Sequence, residues 1–254
     1  MRYIFFFFGL LTTYCQTTNP ADTEVWEPEP KIVNPGKLGS PPSDAIILFD
    51  GSDLSSWKNS KSGEIANWTI NNDQSMTVKQ DGGIETIEEF GSIQFHIEWK
   101  TPKTIVGNGQ GRGNSGVMFQ RRFEIQILDS YNNRTYSNGQ AASIYKQYPP
   151  LVNATKGPNH WQTYDIVFME AAYDKSGKET NPGSFIVFHN GILVQNNVII
   201  KGTTEYIGKP LKGENVISNY MRTFKNPKEN LKKTIMLQDH GNPVQFRNIW
   251  LRKL

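Results

Sequence analysis

The chain predicts an all-β domain, a sandwich or a barrel, and three observations carry that expectation. Aromatic residues are abundant, with six Trp, ten Tyr and fourteen Phe, as strands favour. Short apolar runs recur between Gly, Asn and Pro turns, the spacing of strands in sandwiches and barrels. No window longer than about two turns carries helical periodicity, so helices are accessory, with 140–145 and 226–232 the best short candidates. The 254 residues suit one large β domain. The 27 basic and 24 acidic residues leave +3, too weak a field for a nucleic-acid or anionic-membrane surface.

Taken in order, Arg2 and the apolar run 4–11 (IFFFFGLL) are too short, by roughly ten residues, to span a bilayer as a helix. They read as an export signal over 1–16. Cys15, the one cysteine, stands where a lipoprotein signal would carry its lipid, behind the bulky Tyr14. The expectation is therefore a periplasmic, secreted or lipid-anchored chain, touching membrane only through that anchor. A single cysteine allows neither an intrachain disulfide nor a multi-cysteine zinc site. Residues 17–43 hold Pro20, Pro28, Pro30, Pro35, Pro41 and Pro42, the composition of a linker, in which Val25 and Trp26 supply apolar surface for docking. The folded domain is expected over 44–254.

Residues 92–100 (SIQFHIEWK) alternate, with Ile93, Phe95, Ile97 and Trp99 opposite Gln94, His96, Glu98 and Lys100, as a half-buried antiparallel strand does. Two apolar runs flank Asn190-Gly191, a hairpin signal because both residues tolerate positive φ. Further strands are expected at 45–49, 68–70, 75–78, 116–120, 123–128, 164–169, 234–237 and 244–251. In the last, alternation sets Val244, Phe246 and Trp250 opposite Gln245 and Arg247.

Three blocks are more specific: ILFDGSDLSSW at 47–57, NSGVMF at 114–119 with FEIQILD at 123–129, and LQDHGNPVQFRNIWLR at 237–252. Their order and spacing resemble the 3-keto-disaccharide hydrolase domain family. That resemblance implies a concanavalin A-like jelly roll of two antiparallel sheets, a carbohydrate partner, and action on glycosides oxidised to a ketone at C3. Such a ketone acidifies the C2 proton, so a base can remove it, the C1 group can leave and water can add.

The candidate residues follow from the blocks. Glu124 and Gln126 share one strand face, and E-x-Q-x-x-D is similar to the E-x-D-x-x-E pattern of family 16 glycoside hydrolases, with Gln126 and Asp129 as departures. Glu124 is expected as acid or metal ligand, and His240 or Asp129 as base. Arg112, in a glycine-rich loop at 107–113, is expected as a substrate clamp. Arg112, Gln126 or a divalent metal ion would provide electrophilic support. Asn114, Gln238 and Arg247 are further substrate-binding candidates, and Tyr145 is the preferred ring platform ahead of Trp161 and Tyr164. His96 with Glu98 is the best histidine pairing for a metal. A non-catalytic carbohydrate-binding module and a retaining glucanase are the alternative readings.

Overall fold

The computed structural model describes residues 19–213, 216 and 233–254. The expected export signal, Cys15 and the helix candidate at 226–232 lie outside them. Two units are distinguished, Met1–Val33 and Asn34–Leu254. In the first, the Asn19 side chain caps a 3-10 turn, Pro20–Thr23, and Val25 and Trp26 are exposed.

The second unit holds fifteen described strands: β1 (Ile46–Phe49), β2 (Trp57–Asn59), β3 (Thr69–Ile70), β4 (Met76–Thr77), β5 (Ile84–Thr86), β6 (Ile93–Lys100), β7 (Ser115–Phe119), β8 (Phe123–Ile127), β9 (Gln162–Met169), β10 (Ala172–Tyr173), β11 (Glu179–Asn181), β12 (Ser184–His189), β13 (Ile192–Ile199), β14 (Met236–Leu237) and β15 (Gln245–Lys253). The larger sheet runs β13-β12-β9-β6-β15-β4-β3, with β1 also pairing β15, and the smaller runs β2-β5-β14-β7-β8. Every strand pairing is antiparallel. The architecture is a jelly-roll β-sandwich of the concanavalin A-like kind.

Alternation builds the core. Ile93, Phe95, Ile97 and Trp99 are fully or almost fully buried. From the smaller sheet, Phe119 inserts among Phe95, Phe168 and Phe185, at ring-centre distances of 5.6, 5.2 and 5.1 Å. Each such side chain contributes about 1.5–3 kcal/mol on leaving water. The first block is a structural corner: Trp57 Nε1 donates to Leu48 O at 2.7 Å. There Gly51 has φ 98°, and a Cβ would come within 2.4 Å of Gln74. The hairpin at Asn190-Gly191 has φ of 53° and 79°, as a primed turn requires.

Two expectations are corrected. The helix candidate at 140–145 is a turn with extended backbone, because the open edge of β8 needs partners. Ala142 and Tyr145 N–H donate to Gln126 and Glu124 carbonyls at 2.9 and 3.0 Å, and Gln126 N–H to Ser143 O at 3.0 Å. In β15, Asn248 takes φ 47° and the register against β6 shifts between Arg247 and Trp250. This bulge turns Trp250 away from Phe246, onto the outer face of the larger sheet, where it stacks on His96 at 5.0 Å.

On that face Asn248 Nδ2 donates to Glu98 Oε1 at 2.9 Å and to Gly39 O at 2.6 Å, bonding the 34–43 stretch to the sandwich. His96 Nδ1 lies 2.6 Å from Asp165. Burial alone would depress His96, but Asp165 and Glu98 outweigh it and hold the imidazole up at about 9. With an ordinary value of 6.5, the pair's stabilisation is full below pH 6.5 and is lost as pH rises through about 9. Asp165→Asn is thus expected to cost about 1 kcal/mol at pH 6, discounted because Asp165 is half-exposed, and clearly less at pH 10. Urea unfolding at both pH values measures this; equal losses would place the effect outside His96.

Candidate active site

Residues 124 and 126 of β8, 116 and 118 of β7 and 236 of β14 turn away from the core, onto the outer face of the smaller sheet. Loops roof this face. Residues 142–145 run along β8, and Thr204 crosses it, donating its N–H to Arg122 O at 2.7 Å and accepting Glu124 N–H at Oγ1, 3.1 Å. A cavity of about 270 Å³ results. Glu124, His240, Asn114, Gln126, Tyr145 and Gln238 all line it, as does Met118 with two residues that sequence reasoning missed, Thr204 and Tyr206.

Glu124 is 6% exposed, and its carboxyl has no hydrogen-bond or ion-pair partner among the described residues. Burial pushes its pKa up to about 8, so it holds its proton at neutral pH. Gly116 makes room for it: a Cβ there would lie 2.5 Å from Glu124 Oε1. Gly116→Ala is expected to cost about 1–3 kcal/mol of stability and, by displacing the carboxyl, about 10²-fold in turnover. Unfolding and kinetics on the variant test this; wild-type turnover would show that the carboxyl's position is not critical.

Two of the cavity's three side-chain amides are oriented from one residue. Gln110, in the 3-10 turn Gly109–Gly111, accepts Gln126 Nε2 at its side-chain oxygen, 2.8 Å, and Asn114 Nδ2 at its backbone oxygen, 2.6 Å. Its own Nε2 is held by Thr135 and Gly139. With their nitrogens committed, Asn114 Oδ1 and Gln126 Oε1 are buried without a partner, and so is Gln238 Oε1. Buried acceptors without donors are costly. The glycine-rich loop thus matters through Gln110, which the sequence did not single out.

Tyr145 Oη lies 2.5 Å from Tyr136 Oη. Burial raises both phenols, and the hydrogen bond between them raises Tyr145 further, so both stay neutral. Lys146 Nζ sits 4.1 Å from the Tyr136 ring centre.

Other expected residues are placed elsewhere. Asp129 lines a neighbouring cavity and is ion-paired with Arg112 Nε at 2.7 Å. Arg112 also donates to Tyr131 O at 2.9 Å, so it braces the loop rather than clamping a ligand at Glu124. Arg247 is on the larger sheet, 2.7 Å from Glu98 and 4.1 Å over the Trp161 ring. Tyr164 is core. Asp239 holds a turn, accepting Gly82 and Gly241 N–H, while His240 reaches the cavity. Among the described residues no three His, Cys, Asp or Glu side chains converge as a metal site; His96 and Glu98 serve the ion network instead.

The smaller sheet of this jelly-roll sandwich thus carries a roofed cavity lined by one buried carboxyl, one imidazole and three amide oxygens without a donor among the described residues. The chain belongs to the 3-keto-alpha-glucoside-1,2-lyase-like domain family, whose model matches residues 44–252. It is similar to the crystal structure of a candidate glycosyl hydrolase from Parabacteroides distasonis ATCC 8503, with 40% identity, TM-score 0.83 and coverage of 93% of this chain and 97% of that one. A second candidate glycosyl hydrolase from that organism shares the fold at 19% identity and TM-score 0.55, covering 83% and 94% of the two chains. No curated protein matches.

Proposed function

We propose that the chain is an exported enzyme that cleaves the C1–O bond of 3-keto-glycosides by elimination followed by hydration. The family supports the substrate class, the sequence of residues 1–16 supports export, and the single observation that carries the chemistry is Glu124: a buried, unpartnered, protonated carboxyl in a cavity with an imidazole. His240, exposed at the cavity's edge, takes the C2 proton made acidic by the C3 ketone. The resulting enolate expels the C1 oxygen, which takes the Glu124 proton as it leaves. Water then adds at C1 of the enone, its proton going to the Glu124 carboxylate, while His240 returns a proton to C2. The sum is hydrolysis, with both side chains restored. Tyr145, kept neutral, is a hydrogen-bond donor for developing oxyanion charge, and the three amide oxygens accept ring hydroxyls.

A retaining glucanase needs two carboxyl groups about 5–5.5 Å apart across the bond, whereas Glu124 is the one carboxyl among the described residues lining this cavity. The test is an NMR time course of the purified protein with a 3-keto-disaccharide and with its unoxidised parent, each with and without chelator. Cleavage of the keto sugar alone is expected. Cleavage of the parent would restore the glucanase reading, binding without cleavage would mark a lectin-like module, and loss of activity with chelator would add a divalent ion.

A further inference from the structure

A pyranose offers two kinds of surface, hydroxyls around its edge and C–H groups on its faces. The cavity over Glu124 meets the edge with Asn114, Gln126 and Gln238, whose side-chain oxygens have no donor among the described residues. The faces are matched by an aromatic ring, and the rings expected from the sequence are committed elsewhere. Tyr145 is 7% exposed, with its hydroxyl on Tyr136. Tyr164 is in the core, and Trp161 engages two cations of the larger sheet, Arg247 and Lys100, 4.1 and 4.6 Å from its ring centre.

Tyr206 is placed differently. Seven of the nine described residues lining the cavity are buried; the exceptions are His240 and Tyr206, and Tyr206 is 64% exposed. It stands on a short loop closed at its base, where Thr203 N–H donates to Leu211 O at 2.7 Å. Gly202 there has φ 142°, and a Cβ would come within 2.3 Å of Leu211 O, an approach that glycine permits. Thr204, two residues before Tyr206, is hydrogen-bonded to Arg122 and Glu124 of the β8 segment. Lys146 Nζ lies 5.9 Å from the Tyr206 ring centre, within cation–π range. An aromatic face is thereby held in water at a cavity rich in polar groups, and covering it with C–H groups is favourable.

We propose that Tyr206 is the ring platform of this site, its face covering one C–H face of the bound pyranose while the amide oxygens take the hydroxyls. The inference rests on the proposed function for the identity of the sugar, a 3-keto-glucosyl ring, and adds the residue that holds it. Tyr206 moves no proton in that reaction, so its contribution is read in KM and not in kcat.

The test measures KM and kcat of the full-length protein, Tyr206→Ala and Tyr206→Phe with a methyl 3-keto-glucoside. Tyr206→Ala is expected to raise KM by at least about tenfold, the scale of a lost aromatic face, and to leave kcat little changed. Tyr206→Phe, which keeps the ring and loses the hydroxyl, stays near wild type. Because the side chain is exposed, urea unfolding of both variants matches wild type. An unchanged KM in Tyr206→Ala, a fall in kcat instead, or an equal loss in Tyr206→Phe overturns the inference while leaving the proposed reaction standing. If no keto-glucoside is cleaved, calorimetric titration with unoxidised methyl glucoside decides. Affinity weaker by at least about tenfold in Tyr206→Ala and kept in Tyr206→Phe supports the platform without the reaction. Any other pattern, including no binding to the wild type, overturns it.

Discussion

Replacing Glu124 by Gln is expected to lower turnover of a 3-keto-glycoside by about 10²–10⁴-fold, the contribution of a positioned proton donor, and to make the protein more stable at pH 8. The two effects share one cause. Burial raises the carboxyl from 4.5 to about 8, so below pH 4.5 both folded and unfolded chains hold the proton and ionisation costs nothing. Between about pH 4.5 and 8 the unfolded chain ionises while the folded one does not, and stability falls by about 1.4 kcal/mol per pH unit. Glutamine removes that slope and removes the proton donor. In the wild type the rate should decline as pH rises through about 8, where the acid form is lost. Urea unfolding at pH 5 and 8 with kcat across the same range checks this; a variant with wild-type rate, or with the slope retained, would show that another group is the acid.

The other carboxyl of the motif behaves in the opposite way. Asp129→Ala is expected to destabilise the fold by about 3–5 kcal/mol, the cost of breaking a buried ion pair. Asp129 is 2% exposed, accepts Arg112 Nε at 2.7 Å and Tyr131 N–H at 3.2 Å, and the Arg112 side chain is itself only 11% exposed. Removing the carboxylate leaves that guanidinium without its counter-charge. At about 2–4 °C per kcal/mol for a domain of this size, thermal unfolding should drop by roughly 6–20 °C. A loss under about 1 kcal/mol would mean that solvent already screens the pair.

The strands were legible where alternation is long. β6 and the β12–β13 hairpin follow from Ile93 to Trp99 and from Asn190-Gly191. The short strands β2, β5, β10 and β11 were not, since two or three residues carry no period. The bulge at Asn248 is invisible for a related reason: period two continued through it puts Trp250 on the face of Phe246. At the site, Glu124 and Gln126 could be placed side by side from β8 alone, and His240 and Asn114 from their blocks. Arg112 reads as a clamp from its glycine-rich loop and Asp129 as a base from the E-x-Q-x-x-D spacing, and nothing local shows that they bind each other.

From its sequence alone this chain reads as an antiparallel β sandwich or barrel that presents Glu124 and Gln126 on one strand face, because period-two alternation and turn chemistry act between neighbours; the jelly roll follows from the family resemblance. Only the tertiary structure decided which carboxyl is left without a partner among the described residues. Asp129 meets Arg112 from 17 residues away, Glu124 is roofed by Thr204 from 80 residues away, and Gly116 across the β7–β8 pair leaves the space it occupies. A charged group keeps or loses its partner according to what long-range packing brings within a few ångströms, and no local pattern encodes that.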